Sequence, residues 1–307
     1  GEYSLYSNTT GHKNTSVGNQ SLYNSTTASD NTAVGFSSLR ANTTGAFNTA
    51  IGELSLDGNT TASNNTANGY MALYANTTGA QNVAIGRESL QANTTGYNNT
   101  AVGTSALYTN TEGTYNIGVG MESLRYNTTG ESNVAVGYKA LEDNTTGDNN
   151  TAVGKETLAA NTTADFNTSV GGRSLFKNTT GSENTALGYN ALSENTTAAG
   201  NTAVGNNAMY INTTGAYNAA FGYNSLYANT TGSNNVAVGF ETLKANTTGA
   251  SNIAIGGKAL ESNVSSDNSV AVGYNALSDN TAAASVAVGH SALKLNVGGA
   301  DNTALGH

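Results

Sequence analysis

Apolar, small and polar residues return to the same places along this chain every 17 residues. Numbered from its first Asn, the unit reads N-T-A-V-G-x-x-S/A-L-x-x-N-T-T-G-x-x, as in Asn31 to Phe47 and Asn235 to Ser251. Position 4 is Val, Ile, Leu or Phe almost throughout, for example Val34, Ile51, Ile85, Val102, Leu187 and Phe221. Position 2 is Thr, Val or Ile, with Ala219 as the exception, and position 9 is Leu, with Met209 standing in once. Positions 3 and 8 are always small. Gly holds position 5 from Gly1 through Gly18, Gly35, Gly52, Gly86, Gly103 and Gly137 to Gly306, and the one step of 16 residues runs from Gly273 to Gly289.

A fixed period of this size marks a repeat architecture, and 17 residues are too few for helical hairpin repeats, which take about 33 or more. β-Branched residues at alternating positions 2 and 4 favour a strand. Gly at position 5 and Asn-Thr-Thr-Gly at positions 12 to 15 are turn chemistry. The fold class predicted is all-β: a parallel β-solenoid or β-roll of about eighteen 17-residue coils. Each coil should hold a short strand, a Gly turn, a second short strand around Leu, and a return turn. Coils stacked about 4.8 Å apart would form a rod of roughly 85 Å. Residues 1–307 read as one continuous array, and both ends fall at the same phase, as in a segment of a longer array.

Stacking places like on like. Val34, Ile51, Ile85 and Val102 should form one core ladder, and Leu39, Leu56, Leu90 and Leu107 another. Asn42, Asn59, Asn76, Asn93, Asn127, Asn144, Asn161 and Asn178 should form an amide ladder, bonding up and down the stack as in cross-β packing. A half-exposed strand would carry a polar group at position 3. The small residue there reads instead as a strand buried on both faces, one lining the coil and the other meeting a neighbouring copy. Another reading stays open, in which Ala fits a narrow interior while Val packs inside a wider lobe.

Composition narrows the function. Charged residues are only 10% of the chain, net charge is −9, and the 11 basic residues are scattered. Nucleic-acid binding needs clustered Lys and Arg, so that partner is set aside. No apolar run nears the roughly 18 residues that span a bilayer, so no membrane insertion is expected. No catalytic residues, cofactor or metal site are expected. His12, His290 and His307 have no nucleophile or ligand cluster near them in sequence, and Asp30, Asp148, Asp165, Asp267 and Asp301 recur only in scattered coils.

Three surface chemistries stay open. The position-12 Asn lies in Asn-x-Ser/Thr acceptors for glycosylation in most coils, including Asn8, Asn42, Asn76, Asn127, Asn178, Asn229 and Asn263. Neighbouring sites would sit only about 5 Å apart, which favours the ladder. Thr columns such as Thr43 and Thr44 suggest binding to an extended surface, ice or polysaccharide, but adjacent residues of a strand point to opposite faces. Tyr70, Tyr138, Tyr189 and Tyr223 at position 6 serve either as cross-coil packing or as an adhesive row. Asn68 interrupts the position-4 ladder, and the rung it occupies should be strained, hydrated or amide-bonded.

The unit resembles the head repeat of YadA-like trimeric autotransporter adhesins. The residues that carry the likeness are Asn268 to Ala276 (NSVAVGYNA) and Ser285 to Ala292 (SVAVGHSA), with variants in nearly all other coils. The resemblance implies a left-handed parallel β-roll that trimerises, and an adhesive role. The family's unit is nearer 14 residues, so Asn-Thr-Thr-Gly looks like an extension, and no stalk, neck or membrane-anchor barrel is visible. Similar arrays resemble repeats of phage tail fibres and large surface proteins. The expected function is therefore a structural, adhesive fibre segment outside the cell or on a cell or virion surface. Its expected partners are its own copies, as a trimer or as an end-to-end or bundled filament, and a host surface or glycan.

Overall fold

In the computed structural model, which describes residues 1–307, each repeat contributes one three-residue strand and no helix forms. The chain divides into two compact units, Gly1–Asn150 and Thr151–His307. The first holds β1 (Thr15–Val17), β2 (Thr32–Val34), β3 (Thr49–Ile51), β4 (Thr66–Asn68), β5 (Val83–Ile85), β6 (Thr100–Val102), β7 (Ile117–Val119) and β8 (Val134–Val136). The second holds β9 (Thr151–Val153), β10 (Thr168–Val170), β11 (Thr185–Leu187), β12 (Thr202–Val204), β13 (Ala219–Phe221), β14 (Val236–Val238), β15 (Ile253–Ile255), β16 (Val270–Val272), β17 (Val286–Val288) and β18 (Thr303–Leu305).

Within each unit, strands pair in parallel with equivalent positions side by side. Thr32, Ala33 and Val34 lie against Thr49, Ala50 and Ile51, and Thr185, Ala186 and Leu187 against Thr202, Ala203 and Val204. The one-residue deletion does not disturb this register, because Val270 still pairs with Val286. The return turn absorbs it. The result is a parallel β-solenoid of 17-residue coils.

Each coil bonds to both neighbours around most of its perimeter. Thr100 N donates to Asn116 O of the following coil at 2.8 Å, and Gly103 N to Ile85 O of the preceding coil at 2.8 Å. Ser105 N reaches back to Arg87 O at 3.0 Å, and Leu107 N forward to Ser123 O at 2.9 Å. The expected second strand around Leu does not form. Ser105 and Leu107 both take left-handed φ of 53°, alternating with residues of ordinary φ. That alternation keeps backbone groups aimed along the stack while the chain bends. It also turns adjacent residues at positions 8 and 9 both inward, which a strand cannot do. Ala106 and Leu107 are both fully buried.

A left-handed φ costs an L-residue roughly 1–2 kcal/mol and is worst for β-branched side chains. This explains why position 9 is Leu or Met and never Val or Ile. Gly103 is constrained twice. Its φ is +137°, and a Cβ would lie 2.6 Å and 2.7 Å from the carbonyl O and C of Gly120 in the next coil.

Burial corrects the expected core. Leu39, Leu56, Leu90 and Leu107 are fully inside, as are the small residues Ala33, Ala50, Ala84 and Ala101. Val34 and Val102 are instead half-exposed, and Ile51 and Ile85 are 40% and 41% exposed. Strand pleating sends positions 2 and 4 to the face opposite position 3. Leu and Asn already fill the interior, so only a small residue fits inward. The strand is therefore buried on one face only within this chain. Asn68 lies on the exposed face, so its amide carries no burial penalty.

The backbone explanation makes Leu107 a discriminating position. Leu107→Met should lower stability by less than about 1.5 kcal/mol. Leu107→Ile, of equal volume, should cost visibly more because branching at Cβ opposes the left-handed φ. Urea midpoints followed by circular dichroism check this, and equal losses for the two variants would contradict it.

Candidate functional site

The residues singled out from the sequence fall into an interior amide system and an exterior strand face. Inside the coil Asn31–Phe47, the Gly45 carbonyl accepts from both Asn31 Nδ2 and Asn42 Nδ2, each at 2.9 Å. Two amides from opposite sides of the return turn thus close on one oxygen. The same amides reach between coils. In the first unit, Asn59 Nδ2 donates to Asn42 Oδ1 at 2.9 Å, Asn76 to Asn59 at 2.9 Å, Asn93 to Asn76 at 2.8 Å, and Asn144 to Asn127 at 2.8 Å. In the second, Asn178 Nδ2 donates to Asn161 Oδ1 at 3.2 Å. Position 1 forms a parallel series, in which Asn48 N donates to Asn31 Oδ1 and Asn48 Nδ2 to Ala62 O, both at 2.9 Å.

These asparagines are fully buried. In the folded chain the nitrogen that a glycan would need is a hydrogen-bond donor within the stack. The ladder has marked faults. Ser25 and Ser269 replace Asn, and each leaves its hydroxyl buried without a partner. Asn263 Oδ1 is also unpartnered, since Asn280 beyond the shortened coil donates to Ala282 O instead.

The other singled-out residues mostly pack from coil to coil. Thr43 Oγ1 donates to Thr60 O at 3.0 Å and is half-buried, while Thr44 is exposed, so the Thr-Thr pair presents one open column. Tyr223 stacks on Phe240 and Tyr210 on Tyr227, with ring centroids 5.7 Å and 5.5 Å apart. Asp148 and Asp267 accept backbone N–H groups of Glu131 and Ala250, both at 2.7 Å. His12 contacts Ser29, and His290 stacks between Tyr274 and His307.

Charges gather at positions 7 and 10 in two matching quartets. Glu122 meets Arg125 and Lys139, and Lys139 also meets Glu142, at 3.0, 3.3 and 2.9 Å. Glu241 meets Lys244 and Lys258, and Lys258 also meets Glu261, at 2.6, 3.4 and 3.1 Å. The hydrogen bond from Lys244, with the nearby charges of Lys244 and Lys258, holds the Glu241 carboxyl below its ordinary value. Hydrogen bonding to Glu261, and then to Glu241, holds Lys258 above its own.

The strand face is different. Positions 2 and 4 point outward in every strand of both units, and neither position is ever charged. Val17, Ile51, Ile85, Ile117 and Val136 are exposed on the first unit, and Leu187, Phe221, Val238, Ile253 and Ile255 on the second. At the Gly corner, position 6 extends the apolar strip with exposed Phe36, Tyr70 and Met121 in the first unit, and Tyr189 and Phe240 in the second. Extended apolar patches on a soluble protein mark interaction surfaces. No helix is long and apolar enough to cross a membrane. The sequence matches no protein-family model and no curated protein at a significant level.

Two measurements follow from this geometry. Asn93→Ala removes a donor from Gly96 O and from Asn76 Oδ1, so it should destabilise the first unit by about 1–3 kcal/mol. Hydrogen exchange near Asn76 and Asn110 should read the loss, and unchanged protection there would contradict a structural role for the amide ladder. The second concerns pH. Because Glu241 is more acidic folded than unfolded, its contribution is complete above its ordinary value of 4.5 and is lost as pH falls through the folded value. The contribution of Lys258 is complete below 10.5 and is lost at still higher pH. Melting temperature should therefore fall between about pH 5 and pH 3. The gap between wild type and Glu241→Gln should be largest at neutral pH and close in acid.

Proposed function

We propose that this chain is a structural, self-associating segment of an extracellular or surface fibre, with its strand face buried against further copies. One observation carries the reading: the face bearing the broadest β-branched side chains is outward, and it is uncharged throughout. Treated as strips about 10 Å wide with strands about 4.8 Å apart, the two faces amount to roughly 380 Å² and roughly 480 Å². Their sum of roughly 860 Å² is on the scale of the ~800 Å² per partner of an ordinary stable interface. A partner with the same coil spacing meets every rung, and a second copy has that spacing by construction.

Adhesion belongs to the remaining surface, where exposed Tyr and Thr recur beside the charged quartets. The reading calls for no catalysis, cofactor or nucleic acid. Binding to ice or polysaccharide through the strand face is the weaker reading. The hydroxyls of position 2 give way to Val83, Ile117 and Val134, which breaks any regular hydroxyl lattice.

Light scattering on the purified chain should give a multiple of the single-chain mass. Val102→Asp, on the outward face, should shift the mass towards one chain without loss of the β signal. Thr129→Asp, on the exposed Thr column, should not. A wild-type mass of one chain at micromolar concentration would sink the proposal.

A further inference from the structure

Two strands break the rule of the outward columns, and both breaks point to how copies are aligned. In column 2, Ala219 is the only residue that is not Thr, Val or Ile. In column 4, Phe221 is the only aromatic. Both lie on β13, so the rung that gains bulk at one position loses it at the other. Water imposes no such compensation on a free surface, because Phe221 is 41% exposed and nothing in its own chain closes over it. A facing wall of fixed shape does impose it.

On β4, Asn68 is the only polar residue in column 4, and its exposed amide makes no hydrogen bond within the chain. Thr66, at position 2 of the same rung, carries a hydroxyl on the same face.

Symmetry decides what meets what. If two copies face each other with their coils stacked in the same direction, a two-fold axis along the stack places position 4 of one opposite position 2 of the other. A ring of parallel copies makes the same pairing at each contact. If the copies run in opposite directions, position 4 faces position 4. Only the parallel arrangement, with equal rungs level, seats Phe221 over Ala219 of the second copy. The same alignment brings the Asn68 amide to the Thr66 hydroxyl of the second copy.

A slip of one coil breaks both pairings. One Phe221 then meets Thr202 and the other Val236, each β-branched where a small residue was needed. One Asn68 meets Thr49, and the other is buried against Val83 without a partner.

We infer that copies of this chain associate in parallel and level, coil for coil, with Asn68 marking the register in the first unit and the Ala219–Phe221 pair marking it in the second. The inference rests on the self-association proposed above and adds direction and register to it. A single polar residue in an apolar seam is an established way to fix alignment. Otherwise near-identical rungs leave a repeat array free to slide.

The chain has no cysteine, so single Cys variants report contacts directly. Facing thiols bridge when their Cα atoms lie within about 7 Å, and a slip moves each by about 4.8 Å. Thr100→Cys mixed with Val102→Cys, and Val270→Cys mixed with Val272→Cys, should form mixed disulfides under mild oxidation. Val102→Cys with Ile117→Cys, and Val272→Cys with Val286→Cys, report a slip and should form none. In a background of Asn68→Val, Ala219→Thr and Phe221→Val, light scattering should still show association, but the slipped pairs should rise to yields comparable with the level ones. Slipped pairs in the unmodified background, or only level pairs in the triple variant, would overturn the register assignment while leaving self-association intact. A single-chain mass with no mixed disulfide would overturn both.

Discussion

The convergence of two asparagine amides on one carbonyl is the constraint from which the rest of each coil follows. Asn31 and Asn42 both donate to Gly45 O, and this closes the return turn at a fixed width. The amides of the next coil bind the same asparagines, so the cross-section is copied along each unit. Such a buried polar system is stable only when every member is satisfied, since an orphaned amide costs about 1–3 kcal/mol. That demand explains the monotony of positions 1, 12 and 15. It also locates weak points at Ser25, Ser269 and Asn263, where members lack partners.

A narrow interior leaves little room beyond the amides. Leu at position 9 and small residues at positions 3 and 8 complete it. The broad β-branched residues that make the strand then have only one place to go. Polar amides are inside and aliphatic side chains outside, the reverse of the usual distribution for a half-buried strand. This uncharged face, mainly aliphatic in column 4 and mainly Thr, Val or Ile in column 2, is the one that the proposed assembly buries. Strand preference thereby serves coil pairing and, in the proposed assembly, the contact between copies as well.

Much of this was legible in the sequence. The period, the strand at positions 2 to 4 and the Gly corner follow from residue types alone, and stacking of like on like predicts the Asn ladder. The segment around Leu was not legible as it stands, because alternating left-handed residues leave no compositional mark beyond the absence of β-branching at Leu39, Leu56 and their equivalents. Column 4 does not belong to the core, for a physical reason. An interior of fixed width does not accept Val102, Leu187, Phe221 and Asn68 in equivalent places, whereas it accepts Ala in nearly all of them. The variety of position 4 marks the outside, and the sameness of position 3 marks the inside. The same irregularities, Asn68 and Ala219 with Phe221, would be faults in a core, whereas on an outer face they serve as alignment marks in the proposed register.

Thiol accessibility at two adjacent residues tests this inversion most directly. Position 3 naturally holds Ser169, so a Cys of similar size fits at Ala101. At a dilution where light scattering reads single chains, Val102→Cys should react with a thiol reagent at nearly the rate of a free cysteine. Ala101→Cys should react only as fast as the coils open, slower by orders of magnitude. A protected Val102→Cys beside a reactive Ala101→Cys would place the aliphatic column inside and contradict both the core described here and the assembly face built on it.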